Sequence, residues 1–143
     1  MNSPIISADW LSERLLDPTI KIIEVSSKKG SEAGYADRHI PGAINFWWKD
    51  LCWDENDRQF VTPEQLARRL GEKGISDDDR LIIYGDPVQY GTYAFWTIKM
   101  AGHPNLMLLD GGRTKWLEDE LPTTKALPEE KRVEYKIQSP EQW

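Results

Sequence analysis

Residues 81–101 read LIIYGDPVQYGTYAFWTIKMA, and this stretch decides the fold. Leu81, Ile82, Ile83 and Tyr84 form a short apolar, β-rich run of the kind that makes a buried strand. The cluster Gly85, Asp86, Pro87 opens a tight loop running to Tyr90, because glycine and proline together break both strand and helix periodicity. Thr92 to Ala101 then predict a helix rich in aromatic residues. A strand feeding a helix through a few loop residues, if repeated along the chain, predicts an α/β architecture with a mostly parallel sheet.

It is repeated. Ile20 to Val25, IKIIEV, read as a central strand, and Leu106 to Leu109 as another. Between them Thr62-Pro63-Glu64-Gln65 is a strong helix start, with Thr as N-cap, Pro at the first helical position and Gln closing a capping box. That helix reaches about Lys73 and stops at Gly74. An earlier helix begins at Ser7, carries Trp10, Leu11 and Leu15 at helical spacing, and ends at Asp17-Pro18. A last one runs from Arg113 to Glu120 after the turn Asp110-Gly111-Gly112. Ile40 to Ile44 make two short apolar segments about the Pro41-Gly42 turn, and residues 45–61 a long connection holding Phe46, Trp47, Trp48 and Trp53. From Thr123 onward the chain is polar and extended.

The chain has 143 residues, 39% hydrophobic and 29% charged, which suits one domain with its own core. Its net charge of −6, with no long run of Lys or Arg, argues against nucleic acid or an anionic membrane as partner. No apolar run is long enough to span a bilayer and the first residues do not read as a secretory signal, so the expected location is the cytoplasm. One cysteine, Cys52, excludes an internal disulfide, and no spacing of ligand-type residues predicts a metal site. Seven tryptophans are many for this length and raise the odds that part of an aromatic surface meets a partner.

Three segments in register resemble the rhodanese family of sulfurtransferases. Tyr35 to Asn45, YADRHIPGAIN, is similar to the family's signature, with Asp37, His39, Pro41 and Gly42 in place. Leu81 to His103 occupy the position of its active-site loop, and Leu108 to Leu117, with Asp110, Gly111, Gly112 and Trp116, resemble its closing motif. The resemblance implies a rhodanese fold, a single domain with a central, mostly parallel five-stranded sheet flanked by helices on both faces. Within the family the chain looks most like the N-terminal half of tandem-domain thiosulfate sulfurtransferases. On that reading residues 1–124 are the domain and 125–143 a linker towards a second, Cys-bearing rhodanese domain.

The resemblance also implies a mechanism for active members. A cysteine in the loop after the fourth strand takes sulfane sulfur from thiosulfate as a persulfide and passes it to cyanide or another acceptor. Loop N–H groups backed by a helix N-terminus hold the anion and lower the thiol pKa. Here that loop reads Gly85, Asp86, Pro87, Val88, Gln89, Tyr90, Gly91, with no thiol, and Pro87 removes one donor. The chain alone is therefore expected to be inactive, needing no cofactor. Asp86 is either a built-in anion accepting the loop's N–H bonds or an ordinary cap or turn residue. Arg113 and Lys115 either bind an anion near the loop or form a solvated surface pair, and Trp47, Trp48 and Trp53 either meet the partner or pack in the core. His39 is expected to pack and bond beneath the loop, and His103 to cap a helix end as a cation. Two rivals stand beside this reading: an inactive docking module, and a weak sulfurtransferase using Cys52, whose acidic neighbours would raise its pKa.

Overall fold

In the computed structural model, residues 4–30, 34–54, 59–129 and 131–136 are described. Five strands, β1 (Ile5–Ile6), β2 (Ile20–Ser26), β3 (Ala43–Trp47), β4 (Arg80–Asp86) and β5 (Leu106–Leu109), form one sheet in the order β1-β5-β4-β2-β3. Every neighbouring pair is parallel, with Glu24 opposite Tyr84 and Ser26 opposite Asp86 at the ends of the two central strands. Among the described residues five α-helices cover it: α1 (Ala8–Ser12), α2 (Trp48–Cys52), α3 (Pro63–Glu72), α4 (Val88–Met100) and α5 (Gly112–Glu118).

The strands are largely apolar on both sides because both faces of the sheet are covered, as parallel sheets require. Their side chains alternate between two cores. Ile23, Val25, Leu81 and Ile83 pack with Leu51, Leu66, Leu70, Ala94 and Ile98 of α2, α3 and α4. Ile20, Ile22, Ile82 and Tyr84 face the other way, onto Leu11 of α1 and Trp116 of α5. The architecture is thus the expected one, with helices on both faces.

Local signals explain the best-placed element. The Thr62 hydroxyl accepts from the Gln65 N–H at 3.1 Å, and the Gln65 side chain accepts from the Thr62 N–H at 3.0 Å. Two otherwise orphaned donors are satisfied, and Pro63 fixes the first helical φ. Gly74, at φ +88, then lets the chain leave in a conformation that side chains disfavour.

Three expectations change. The 45–61 connection contains the end of β3 and all of α2. The first helix stops at Ser12, where three-residue turns such as Arg14 N–H to Leu11 O at 2.9 Å take over. Pro4 and Ile6, unassigned in the sequence, bond through their carbonyls to the Leu108 and Asp110 N–H groups and add β1 at the sheet edge.

The described residues beyond Leu121 run back along the domain. Thr124 pairs with His39, the Val133 N–H reaches the Gly71 carbonyl at 2.9 Å, and Lys136 N–H reaches Asp77 at 3.0 Å. Gly71 is where it must be, since a Cβ there would lie 2.5 Å from the Val133 carbonyl oxygen. His103 secures the run, its Nε2 donating to the Asp79 carbonyl at 2.7 Å and its Nδ1 accepting the Tyr135 hydroxyl at 2.6 Å.

That pattern corrects the expected cation at His103. Burial pushes the imidazole pKa below its ordinary value, outweighing the Asp79 carbonyl and the nearby Asp77 and Asp79 charges. A folded-state pKa held below the unfolded one gives stability that is present above about pH 6.5 and lost as pH falls through it. Amide protection of residues 131–136 should therefore drop between about pH 7 and pH 5 while α3 stays protected, as read by hydrogen exchange. Equal protection at both pH values would contradict the assignment.

Candidate functional site

At the carboxyl ends of β2 and β4 the sheet presents a charged group buried where its neighbours are apolar. Glu24 is fully buried in a strand whose other buried residues are Ile20, Ile22, Ile23, Val25 and Ser26. Its Oε1 accepts from the Tyr84 hydroxyl at 2.5 Å and from Arg113 at 2.9 Å, while its Oε2 has no hydrogen-bond partner among the described residues. Burial pushes the Glu24 pKa up, against the lowering pull of the Tyr84 hydroxyl and the Arg113 charge. Burial, with the neighbouring carboxylate, drives Tyr84 well above its ordinary value, so it remains a donor.

Arg113 reaches this carboxylate from the first turn of α5. It also donates to the Gly34 carbonyl at 2.9 Å and lies 3.6 Å from the Asp86 carboxylate. It is not the solvated surface residue that was one of its two expected placements: the guanidinium is nine-tenths buried, and the anions it reaches, Glu24 and Asp86, belong to this chain. Lys115, its expected companion, is half-exposed and pairs with Asp119 at 3.1 Å along α5. Gly34, in a 3-10 turn, presses onto the pair so closely that a Cβ would sit 2.9 Å from Asp86 Oδ2.

The tight loop expected over Gly85 to Tyr90 is absent. Gly85 and Asp86 are the last residues of β4, paired with Val25 and Ser26; Pro87 caps α4; and Val88, Gln89, Tyr90 and Gly91 are its first turn. The physical reason lies in two glycines. A Cβ on Gly85 would lie 2.6 Å from the Pro87 oxygen, and one on Gly91 2.6 Å from the Gly85 nitrogen, so backbone packs directly on backbone and the strand passes into the helix through Pro87 alone. The Tyr90 N–H is taken by the Pro87 carbonyl at 3.1 Å. Gly112 completes the junction, its missing Cβ allowing the Gly85 carbonyl to within 3.0 Å of that position.

The remaining signature residues frame the site rather than enter it. His39 is buried, stacked on Tyr35 with ring centroids 3.8 Å apart, its nitrogens 2.9 Å from the Tyr35 oxygen and 2.8 Å from the Ala126 oxygen. Asp37 and Asp110 are exposed. Pro41 precedes Gly42, which takes φ +86 to turn the chain into β3, and Gly111 takes φ +76 at the α5 N-cap.

The tryptophans divide. Trp47 donates its indole N–H to the Ser27 carbonyl at 3.3 Å, with Lys29 5.1 Å from its ring. Trp48 and Trp53 wall an apolar groove of about 480 Å³ between α2, α4 and the Phe60–Pro63 segment. Cys52 lies in the same wall with the Thr97 hydroxyl 3.5 Å from its sulfur, and burial, rather than acidic neighbours, pushes its thiol pKa up. That is the opposite of what a nucleophile needs. Among the described residues no group of His, Cys, Asp and Glu is placed to hold a metal ion, and no helix is long and apolar enough to cross a membrane. Glu24, Tyr84 and Gly34 were not anticipated. The legible sign was Glu24 itself, an acid at an inward position of an apolar strand.

The family model described as rhodanese-like domain matches residues 7–119. The chain is 37% identical over 125 residues to the sulfur carrier protein TtuD of Thermus thermophilus, spanning 87% of this chain and 43% of that one. It is 37% identical over 138 residues to a putative thiosulfate sulfurtransferase of Saccharopolyspora erythraea, spanning 96% of this chain and 48% of that one. The crystal structure of the 3-mercaptopyruvate sulfotransferase SseA from Escherichia coli superposes with a TM-score of 0.79 at 26% identity, over 95% of this chain and 55% of that chain. The chain thus spans about half the length of these relatives.

Proposed function

The chain belongs to the rhodanese-like domain family, and from that membership we propose that it is the cysteine-free half of a thiosulfate sulfurtransferase, shaping the cleft in which a Cys-bearing rhodanese domain works. One observation carries the reading: where the family's resemblance calls for a sulfur-carrying thiol, this chain has Asp86, 3.6 Å from a buried arginine, in a junction with no loop. Sulfur transfer needs a thiolate that attacks the sulfane sulfur, breaks the S–S bond of thiosulfate and releases sulfite. The resulting persulfide passes its sulfur to cyanide and regenerates the thiolate. A carboxylate cannot hold that sulfur, and Cys52 is buried on another face with its thiol pKa raised. The thiosulfate, its acceptor and the thiol all belong to the complete assembly, acting in the cytoplasm.

The test is a graft in which this chain replaces the matched half of the Saccharopolyspora relative. The graft should form thiocyanate from thiosulfate and cyanide, and the isolated chain should form none above a no-protein control. Thiocyanate formed by the isolated chain and abolished by Cys52→Ser would overturn the proposal, as would an inactive graft whose halves stay apart.

A further inference from the structure

Helix α4 is amphipathic on the wrong side for a solvent-facing helix. Its inward residues Ala94 and Ile98 fill the core, yet Tyr93, Trp96 and Met100, at i, i+3 and i+7, are 54%, 55% and 68% exposed. Phe60, 71% exposed and stacked on Trp53 at 5.3 Å, extends the same patch across the 480 Å³ groove. The outer surface of α5, on the opposite face of the sheet, carries Thr114, Lys115 and Glu118 instead. Large contiguous apolar surface on one layer and charge on the other marks a face that another body covers.

We infer that this stripe and groove are the seat of the second rhodanese-like domain, an inference that rests on the function proposed above. The relatives have about twice this chain's length, so a body of domain size is available to cover it. The last described run of chain also ends beside it: Tyr135 bonds to His103, three residues beyond Met100, so a continuing chain starts at the end of the stripe. Tyr93 and Trp96 are the residue types that anchor domain and protein interfaces, where each buries a large rigid surface. Lys99, 5.2 Å from the Trp96 ring, sits at the rim and calls for an acidic residue on the covering domain.

The graft described above tests this with Trp96→Asp and Met100→Asp together, against Lys115→Glu on the far face. In the unaltered graft, amide exchange over residues 93–100 should slow about tenfold or more relative to the isolated chain. The double variant should abolish that slowing and open the graft to proteolysis between its halves, with unchanged circular dichroism in the isolated chain, while Lys115→Glu behaves as the parent. A graft that is active and compact but indifferent to the double variant overturns this surface and leaves the proposed function standing. A graft that is inactive with its halves apart overturns both.

Discussion

Arg113→Leu is expected to cost about 3–5 kcal/mol of folding free energy, far more than an exposed helix residue should. The variant leaves Glu24, fully buried, without its cationic partner and with a second oxygen that already lacks a hydrogen-bond partner among the described residues. Glu24→Leu should cost a comparable amount, because Arg113 keeps the Gly34 carbonyl but, as its remaining carboxylate, the partly exposed Asp86 at 3.6 Å, and Tyr84 loses its acceptor. The double variant should cost much less than the two singles together. Replacing both ends of a buried pair with apolar groups of similar volume removes the desolvation penalty along with the attraction. Urea unfolding of the four proteins closes the cycle. The cost of Arg113→Leu should also grow with pH. Glu24 already has a raised pKa, and losing the guanidinium raises it further, so the variant loses stability as pH climbs from the unfolded value towards the folded one. Additive single costs, or singles under about 1 kcal/mol, would remove the pair from the fold's essential contacts.

How far the sequence could be read depended on whether a signal was local. The capping box at Thr62 and the αL exit at Gly74 are determined within a few residues, and α3 stands where they put it. The alternation of short apolar runs with amphipathic segments was enough for a parallel sheet with helices on both faces. The β4–α4 junction reads as a loop because Gly85, Pro87 and Gly91 are loop residues by local propensity. What decides the junction is a contact between backbones, Gly85 against Gly91 and Gly112 against Gly85, which no local rule expresses. Arg113 is a similar case. A cation in the first turn of a helix opposes the dipole and reads as surface, and only its meeting with Glu24, 89 positions away, reveals why it is there. The aromatic connection could not be divided from sequence, since Trp47, Trp48 and Trp53 are the same side chain within one short stretch; α2 separates them by turning two towards the groove.

Asp86→Cys separates the two things an active rhodanese loop must supply, a reactive thiolate and donors for the sulfur anion. A thiol there would lie near the Arg113 guanidinium and beyond the N-terminal turn of the 13-residue α4, and both favour the thiolate. Alkylation by iodoacetamide should therefore have its midpoint below the ordinary thiol value of about 8.5, with a rate at neutral pH at least about tenfold above that of Cys52. Glu24, which competes for Arg113, limits how far the midpoint can fall. Sulfur turnover should nevertheless stay absent. The Tyr90 N–H is already bound to Pro87 and Pro87 offers no N–H, so two of the donors that a sulfur cradle at this junction would use are lost. Mass analysis after thiosulfate treatment decides it. A reactive cysteine that gains no stable sulfur means the closed junction silences this site as firmly as the missing thiol does, whereas a persulfide on the variant means the first turn of α4 opens and only the side chain was lacking.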